Sequence, residues 1–211
     1  FGKIARFKNR CVAKGFKQIF GKDYTECHSN VIRKESVRHL CALTAASKSR
    51  LYQLDIKNAY PCSELKENIY IKIPPGIELL DPSHPIRLAI ARCKDPVFKL
   101  NKSLYGLKQA GRNWEEHMAK IITEMGYTAS LSDPCLYEIP NNSPLRSSLP
   151  QAIGVYVDDL GISAKHEQLY ENFCKKLAAK NLTVTALGLA KLLLGVRIIQ
   201  NPDFSIFLTQ D

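Results

Sequence analysis

Three aspartates stand where apolar residues are expected. Asp158 and Asp159 are adjacent in "AIGVYVDDLGIS", residues 152–163, and Asp55 lies in "LYQLDIKNAY", residues 51–60. Burying an ionised carboxylate without a partner costs on the order of several kcal/mol, so each acid needs a reason. One reason is plain: Asp bonds its own backbone in turns, and an acidic hairpin tip is common. The other is chemical. If the two segments are neighbouring strands, their carboxylates can converge on a pair of hard cations. Mg²⁺ takes oxygen ligands and keeps several waters, so two or three carboxylates plus substrate phosphates suffice. Two such ions can activate a 3′-hydroxyl and stabilise a leaving pyrophosphate, the template for nucleotidyl transfer. The spacing alone leaves both accounts open.

The elements that must position these acids are partly legible. "LYQLDIKNAY" reads as a buried strand running into a turn, and residues 152–163 as a hairpin with the acids at its tip. Val37, Leu40, Cys41 and Ala45 recur at helical spacing and predict a helix over 35–47. A longer helix is predicted from Lys108, with Trp114, Met118, Ile121, Ile122 and Met125 on one face and Gly126 as C-cap. A third passes through Leu169, Phe173 and Leu177. Ile69, Ile71 and Ile73 alternate up to a Pro-Pro-Gly breaker, "PCLYEI" is a further strand, and the last residues form two strands around Asn-Pro-Asp. In residues 1–18 basic and apolar residues alternate, most clearly at Arg10, Val12 and Lys14, which predicts a strand with one basic face. Residues 76–96 read as irregular and "PNNSPLRSSLP" as a loop. Frequent hairpins without a sustained βαβ rhythm give an α+β class, helices packed on one side of an antiparallel sheet.

Composition narrows the partners. The chain has 211 residues, 45% hydrophobic, enough for a real core, and a formal net charge of +10. That balance favours a polyanionic partner, most commonly nucleic acid. The seven cysteines are scattered with no C-x-x-C pair, which indicates neither a zinc site nor a disulfide framework and favours a reducing compartment. The five histidines form no H-E-x-x-H pair. No apolar segment is long enough to span a bilayer and no signal-peptide pattern is present, so no membrane partner is expected. The chain begins at Phe1 and stops inside a predicted strand, and is expected to be a piece of something longer.

A set of ordered motifs adds to this. "YVDD" in a hydrophobic hairpin, preceded by "LYQLDIKNAY" and "KLNKSLYGLKQAGRNW", resembles the reverse transcriptase domain of Ty1/copia-type LTR retrotransposons. "RCVAKGFKQIFGKDYTE", "RKESVRHLCALTAA", "ELKENIYIKIPPG", "SDPCLY" and "LGLAKLLLGVRI" match in order, so the likeness covers nearly the whole chain.

The resemblance implies an RNA-directed DNA polymerase with a right-hand fingers–palm fold, an antiparallel sheet backed by helices. Fingers elements would occupy about 1–50 and 61–105, the palm 51–60 and 106–199, and 192–211 the start of the primer-grip and thumb connection. Asp55 and Asp158 would be the metal ligands, with Asp159 the neighbouring acid of the set. Two Mg²⁺ ions are implied, with Mn²⁺ able to substitute. Tyr60, five residues after Asp55, would face the sugar of the incoming dNTP and exclude a 2′-hydroxyl; a core aromatic is the plainer account of it. Gln109 would lie near the incoming nucleotide and its template base. Lys8, Arg10 and Lys14 would neutralise triphosphate or template, and Lys108 and Arg112 would meet phosphates, contacts that position without reading sequence. Tyr156 and Val157 would lie beside the primer terminus, and Leu194 and Gly195 would belong to a hairpin that grips the primer. Implied partners are an RNA or DNA template with primer, dNTPs, and the integrase and RNase H parts of a Pol polyprotein. The implied location is cytoplasmic, in virus-like particles, or nuclear.

Departures mark this copy, among them an unusual loop at 140–151 and "IRLAIARC" at 86–93. Asn30 stands where the family usually has proline, Pro61 and Cys62 interrupt a turn that is usually Leu-Asn-Gly or Leu-Asn-Ser, and Ala186 replaces an aspartate. They give a rival reading: an inactive relic that at most binds nucleic acid. A second rival, an RNA-binding sheet module, requires aromatics clustered on one strand face to stack bases and leaves the aspartates unexplained.

Overall fold

The computed structural model describes residues 9–210. Its elements in chain order are α1 (Lys34–Ala46), β1 (Arg50–Lys57), α2 (Ala59–Cys62), β2 (Tyr70–Lys72), α3 (Pro85–Ala91), β3 (Val97–Lys99), α4 (Ala110–Glu124), β4 (Thr128–Ala129), β5 (Leu136–Glu138), β6 (Ala152–Tyr156), β7 (Asp159–Ala164), α5 (Glu167–Ala178), β8 (Thr183–Leu189), β9 (Leu192–Leu193), β10 (Val196–Gln200) and β11 (Ile206–Thr209). A six-stranded sheet in the order β4-β5-β6-β7-β1-β8 carries the architecture, and each of its pairings is antiparallel. The pair β2-β3 and the trio β11-β10-β9 form two small separate sheets.

Strand alternation explains where the helices go. Tyr52, Leu54 and Ile56 of β1 point to one face and join Leu160, Ile162, Ile153, Trp114, Met118, Ile122 and Phe173 in the larger core. Leu51, on the opposite face, joins Leu40, Val37, Cys41 and Leu193 in a second core. Helices α4 and α5 therefore cover one face and α1 the other. The expectation of helices on a single side is corrected: the central strands are apolar on both faces, and both need covering.

Two tertiary devices fix the sheet. No side chain at the Arg33 cap position satisfies the start of α1; instead Asp133 accepts the Arg33 N–H at 2.9 Å and the Cys135 N–H at 2.9 Å. Burial works against ionisation of Asp133, but these donors and the Ser36 hydroxyl prevail and hold its carboxyl below the usual range. Between β1 and β8 the register slips at Gln53/Leu54. There the Tyr170 hydroxyl donates to the Gln53 carbonyl at 2.7 Å and accepts from the N–H groups of Leu187 and Gly188. One buried side chain thus supplies the ladder bonds that the bulge interrupts.

Other expectations change as well. Residues 9–14 form no strand, and 15–17 form a 3₁₀ turn, because the segment meets the rest of the chain through single contacts such as Ala13 N–H to the Tyr105 carbonyl at 2.7 Å. Residues 76–96, read as irregular, hold α3, and β8 forms over Thr183–Leu189, where the periodicity predicts no strand. Among the described residues no helix is long and apolar enough to cross a membrane.

Candidate active site

The acidic hairpin is held from two sides. β6 and β7 pair from Ala152↔Ser163 to Tyr156↔Asp159, leaving Val157 and Asp158 as a two-residue tip. Val157 has φ 52°, a region that β-branched residues seldom enter, so something outside the hairpin must hold it there. The indole Nε1 of Trp114 donates to the Val157 carbonyl at 2.6 Å. From the other side, the Ile56 N–H donates to the Asp158 carbonyl at 2.8 Å. Helix α4 and strand β1 clamp the tip between them.

This clamp brings the acids together. Asp55 and Asp159 are direct partners in the β1–β7 register and lie on the same sheet face, with Gln53 two residues along it. Gln53 Nε2 donates to Asp159 Oδ1 at 3.4 Å. Burial pushes the Asp159 carboxyl above its ordinary range; the Gln53 bond opposes this, and the charges of Asp158 and Asp55 add to it. The acids therefore repel one another. Among the described residues, no group of three or more His, Cys, Asp or Glu side chains is placed so that it could hold a metal ion. The donor chemistry nevertheless fits a hard divalent cation, since Mg²⁺ commonly uses one or two carboxylates and takes its remaining ligands from water and substrate phosphate.

An aromatic pair borders the acids. Asn58, at φ 55°, turns the chain out of β1 into α2, which carries Tyr60. Pro61 falls inside the first turn of α2, where its missing N–H removes no helical bond, so this departure fits the local geometry. The Tyr60 ring lies 4.8 Å from that of Tyr105 at an interplanar angle of 55°. The guanidinium of Arg10 sits 5.7 Å from the Tyr105 centroid, a cation–π contact. Burial and then the charge of Asp158 raise the proton affinity of both phenols, which places the pair beside the acidic tip.

The remaining predicted residues divide. Gln109 is buried, and its amide is engaged at both ends: it accepts from Gln18 Nε2 at 3.0 Å and donates to the Asp23 carbonyl at 2.9 Å. In this structure it fastens the 15–24 segment to the start of α4. Arg112 pairs with Glu26 at 2.5 Å and with Glu116 at 2.9 Å, and the Lys108 ammonium lies 5.3 Å from the Tyr24 centroid. These two cations serve local contacts as well as any phosphate. Lys14 is exposed, and Lys8 lies outside the described residues. Leu194 and Gly195 form the two-residue turn between β9 and β10, both at positive φ (53° and 73°), as a type I′ hairpin requires. They line an open depression of about 610 Å³ together with Tyr156, Asp159, Gln53 and Lys34. The acidic strand and the 194–195 turn thus share one surface.

Three contributors escaped the sequence reading. Trp114 read as a core residue, although a buried indole N–H usually needs an acceptor. Gln53 shares the face of Asp55 by simple alternation. Tyr105 stands in a quoted motif but carries no charge or spacing signal. Asn30, read as a departure, has an evident role: its backbone N–H and its side-chain amide both bond the Glu115 carboxylate, at 2.6 and 2.7 Å.

Comparison with known proteins agrees with the motifs. The family model described as reverse transcriptase (RNA-dependent DNA polymerase) matches residues 2–210. The chain is 34% identical, over 99% of its length, to a retrovirus-related Pol polyprotein from transposon TNT 1-94 of Nicotiana tabacum. It is 32% identical over 85% of its length to that from transposon RE1 of Arabidopsis thaliana, and 30% identical over 74% to the putative transposon Ty5-1 protein of Saccharomyces cerevisiae. It spans 15%, 11% and 45% of the lengths of these three relatives.

Proposed function

We propose, from the premise that this chain belongs to the reverse transcriptase (RNA-dependent DNA polymerase) family of Ty1/copia-type transposons, that it extends a primer with dNTPs by two-metal nucleotidyl transfer. The observation that carries this reading is the register of Asp55 opposite Asp159, with Asp158 at the tip between them. In it, residues 51–60 and 106–199, from β1 to the start of α2 and from α4 onward, correspond to the palm, about 1–50 and 61–105 to the fingers, and 192–211 to the start of the primer-grip and thumb connection.

Asp55, Asp158 and Asp159 would hold two Mg²⁺ ions, or Mn²⁺ in their place. When bound, such ions supply charge stabilisation to the attacking and leaving oxygens of an in-line displacement. The chain's own residues do the positioning. Trp114 and Ile56 hold the acidic tip against β1. Tyr60 bounds the sugar side of the nucleotide and admits no 2′-hydroxyl. Arg10 and Lys14, with Lys8, neutralise triphosphate or template backbone, contacts that carry no sequence information. Tyr156, Leu194 and Gly195 border the depression that receives the primer end, and the net charge of +10 favours the duplex as a whole. Catalysis then rests on alignment and electrostatics, as in phosphoryl transfer generally. Integrase and RNase H segments of a Pol polyprotein are the proposed neighbours, and virus-like particles in the cytoplasm, or the nucleus, the proposed location.

Primer extension on an RNA template with Mg²⁺ or Mn²⁺ tests the reading. Extension is expected, and Asp158→Asn is expected to reduce it by on the order of a hundredfold or more. A parent chain that binds primer–template yet never extends it would instead support the inactive-relic reading.

A further inference from the structure

Tyr60 sits on a helix of four residues and is only partly buried, packed at the edge of the larger core and of a small core of Ile69, Leu107 and Ala110. Discrimination between sugars needs that ring held in one orientation. An aromatic neighbour stands against it, Tyr105, 4.8 Å away. Tyr105 in turn is fixed twice: its carbonyl accepts the Ala13 N–H at 2.7 Å, and the Arg10 guanidinium packs against its ring. The next residue, Gly106, has φ 89°, and a Cβ there would collide with the Ala13 carbonyl, so the two segments touch backbone to backbone. The Tyr105 ring is therefore the end of a strap that runs from the N-terminal segment to the nucleotide side of the acids.

We propose that Tyr105 is a positioning residue for sugar selection: its ring, backed by Arg10, holds Tyr60 in the orientation that excludes a 2′-hydroxyl. This rests on the reading of Tyr60 given above. Steric exclusion needs a wall that does not yield, and a tilted ring-on-ring contact whose second ring also carries a cation contact supplies one. The strap also makes selectivity depend on residues 10–13, far in sequence from Asp55.

The test measures equilibrium binding of a matched dNTP and rNTP to the full chain on an RNA template with a dideoxy-terminated primer and Mg²⁺, so turnover is not needed. The parent should prefer the dNTP. Tyr105→Leu should tighten rNTP binding and narrow the preference on the order of tenfold, with dNTP affinity held within about twofold. Tyr105→Phe, which keeps the ring, should restore the parent's ratio. General damage to the fold would weaken both nucleotides and so cannot imitate a gain for one. If Tyr105→Leu keeps the parent's ratio while Tyr60→Ala loses it, the buttress is wrong and the gate stands. If neither variant changes the ratio, or the parent has no preference, both are wrong. Should Tyr105→Leu not fold, Arg10→Ala must narrow the ratio in the same direction, and an unchanged ratio there overturns the proposal.

Discussion

Asp55 faces Asp159 across adjacent antiparallel strands, and the two carboxylates share a face where, among the described residues, no ion pair of the chain bridges them. Burial, and then the charges of Asp158 and Asp55, leave Asp159 with a higher proton affinity folded than unfolded. Between those two pKa values the folded chain holds more protons than the unfolded one, so stability falls as pH rises through this window. Asp159→Asn should remove that loss. Its melting temperature at neutral pH should rise on the order of a few degrees while primer extension falls. A lower melting temperature would show that the Gln53 bond outweighs the repulsion.

Trp114→Phe keeps the ring in the core and deletes the bond to the Val157 carbonyl. A buried acceptor left without a partner costs about 1–3 kcal/mol. The free-energy loss in urea should fall in that range, and extension should drop through kcat more than through KM for the dNTP. Equal extension by parent and variant would mean that β1 alone holds the tip.

Asn30→Pro restores the residue usual in the family, and should nonetheless harm this chain. It deletes the backbone donor to Glu115 and the side-chain amide together. Because the pair is exposed, the expected cost is about 1 kcal/mol, read as a shift of the urea midpoint. Introduced into Glu115→Ala, the same change should cost less, since the acceptor is already gone.

Gly15→Ala places a Cβ against the Gly106 carbonyl, a backbone atom that cannot yield. The 9–24 segment should lift, taking with it the Gln18–Gln109 bond. Proteolysis and amide exchange should quicken over 9–24 and leave β1, β6 and β7 protected. Uniform loss of protection would mean that the segment is integral to the core.

These predictions also mark what the residues disclosed unaided. The three acids were legible because charge amid apolar neighbours demands a reason, and α1 because Val37, Leu40 and Cys41 repeat at helical spacing. β8 was not, since its residues are mostly exposed and its bulge breaks alternation at Leu187. α3 was obscured by the prolines around it. Helices cover both sheet faces, a fact hidden in the apolar runs of β1 and β7, which fit a buried strand or a half-covered one equally well. Gln109 could not be understood alone, because Gln18 and Asp23 lie about ninety residues earlier and only tertiary structure aims them at its amide.

Trp114 is the single tryptophan of the chain. Its indole is buried, touches the carbonyl of the acidic tip, and has the His117 ring 5.9 Å away. Excited at the red edge of tyrosine absorption, the whole protein therefore emits from one place, against the Val157 carbonyl of the hairpin tip that carries Asp158. Any ligand that shifts the tip changes the polarity and quenching felt by that one fluorophore. The chain carries its own optical probe, readable without a label.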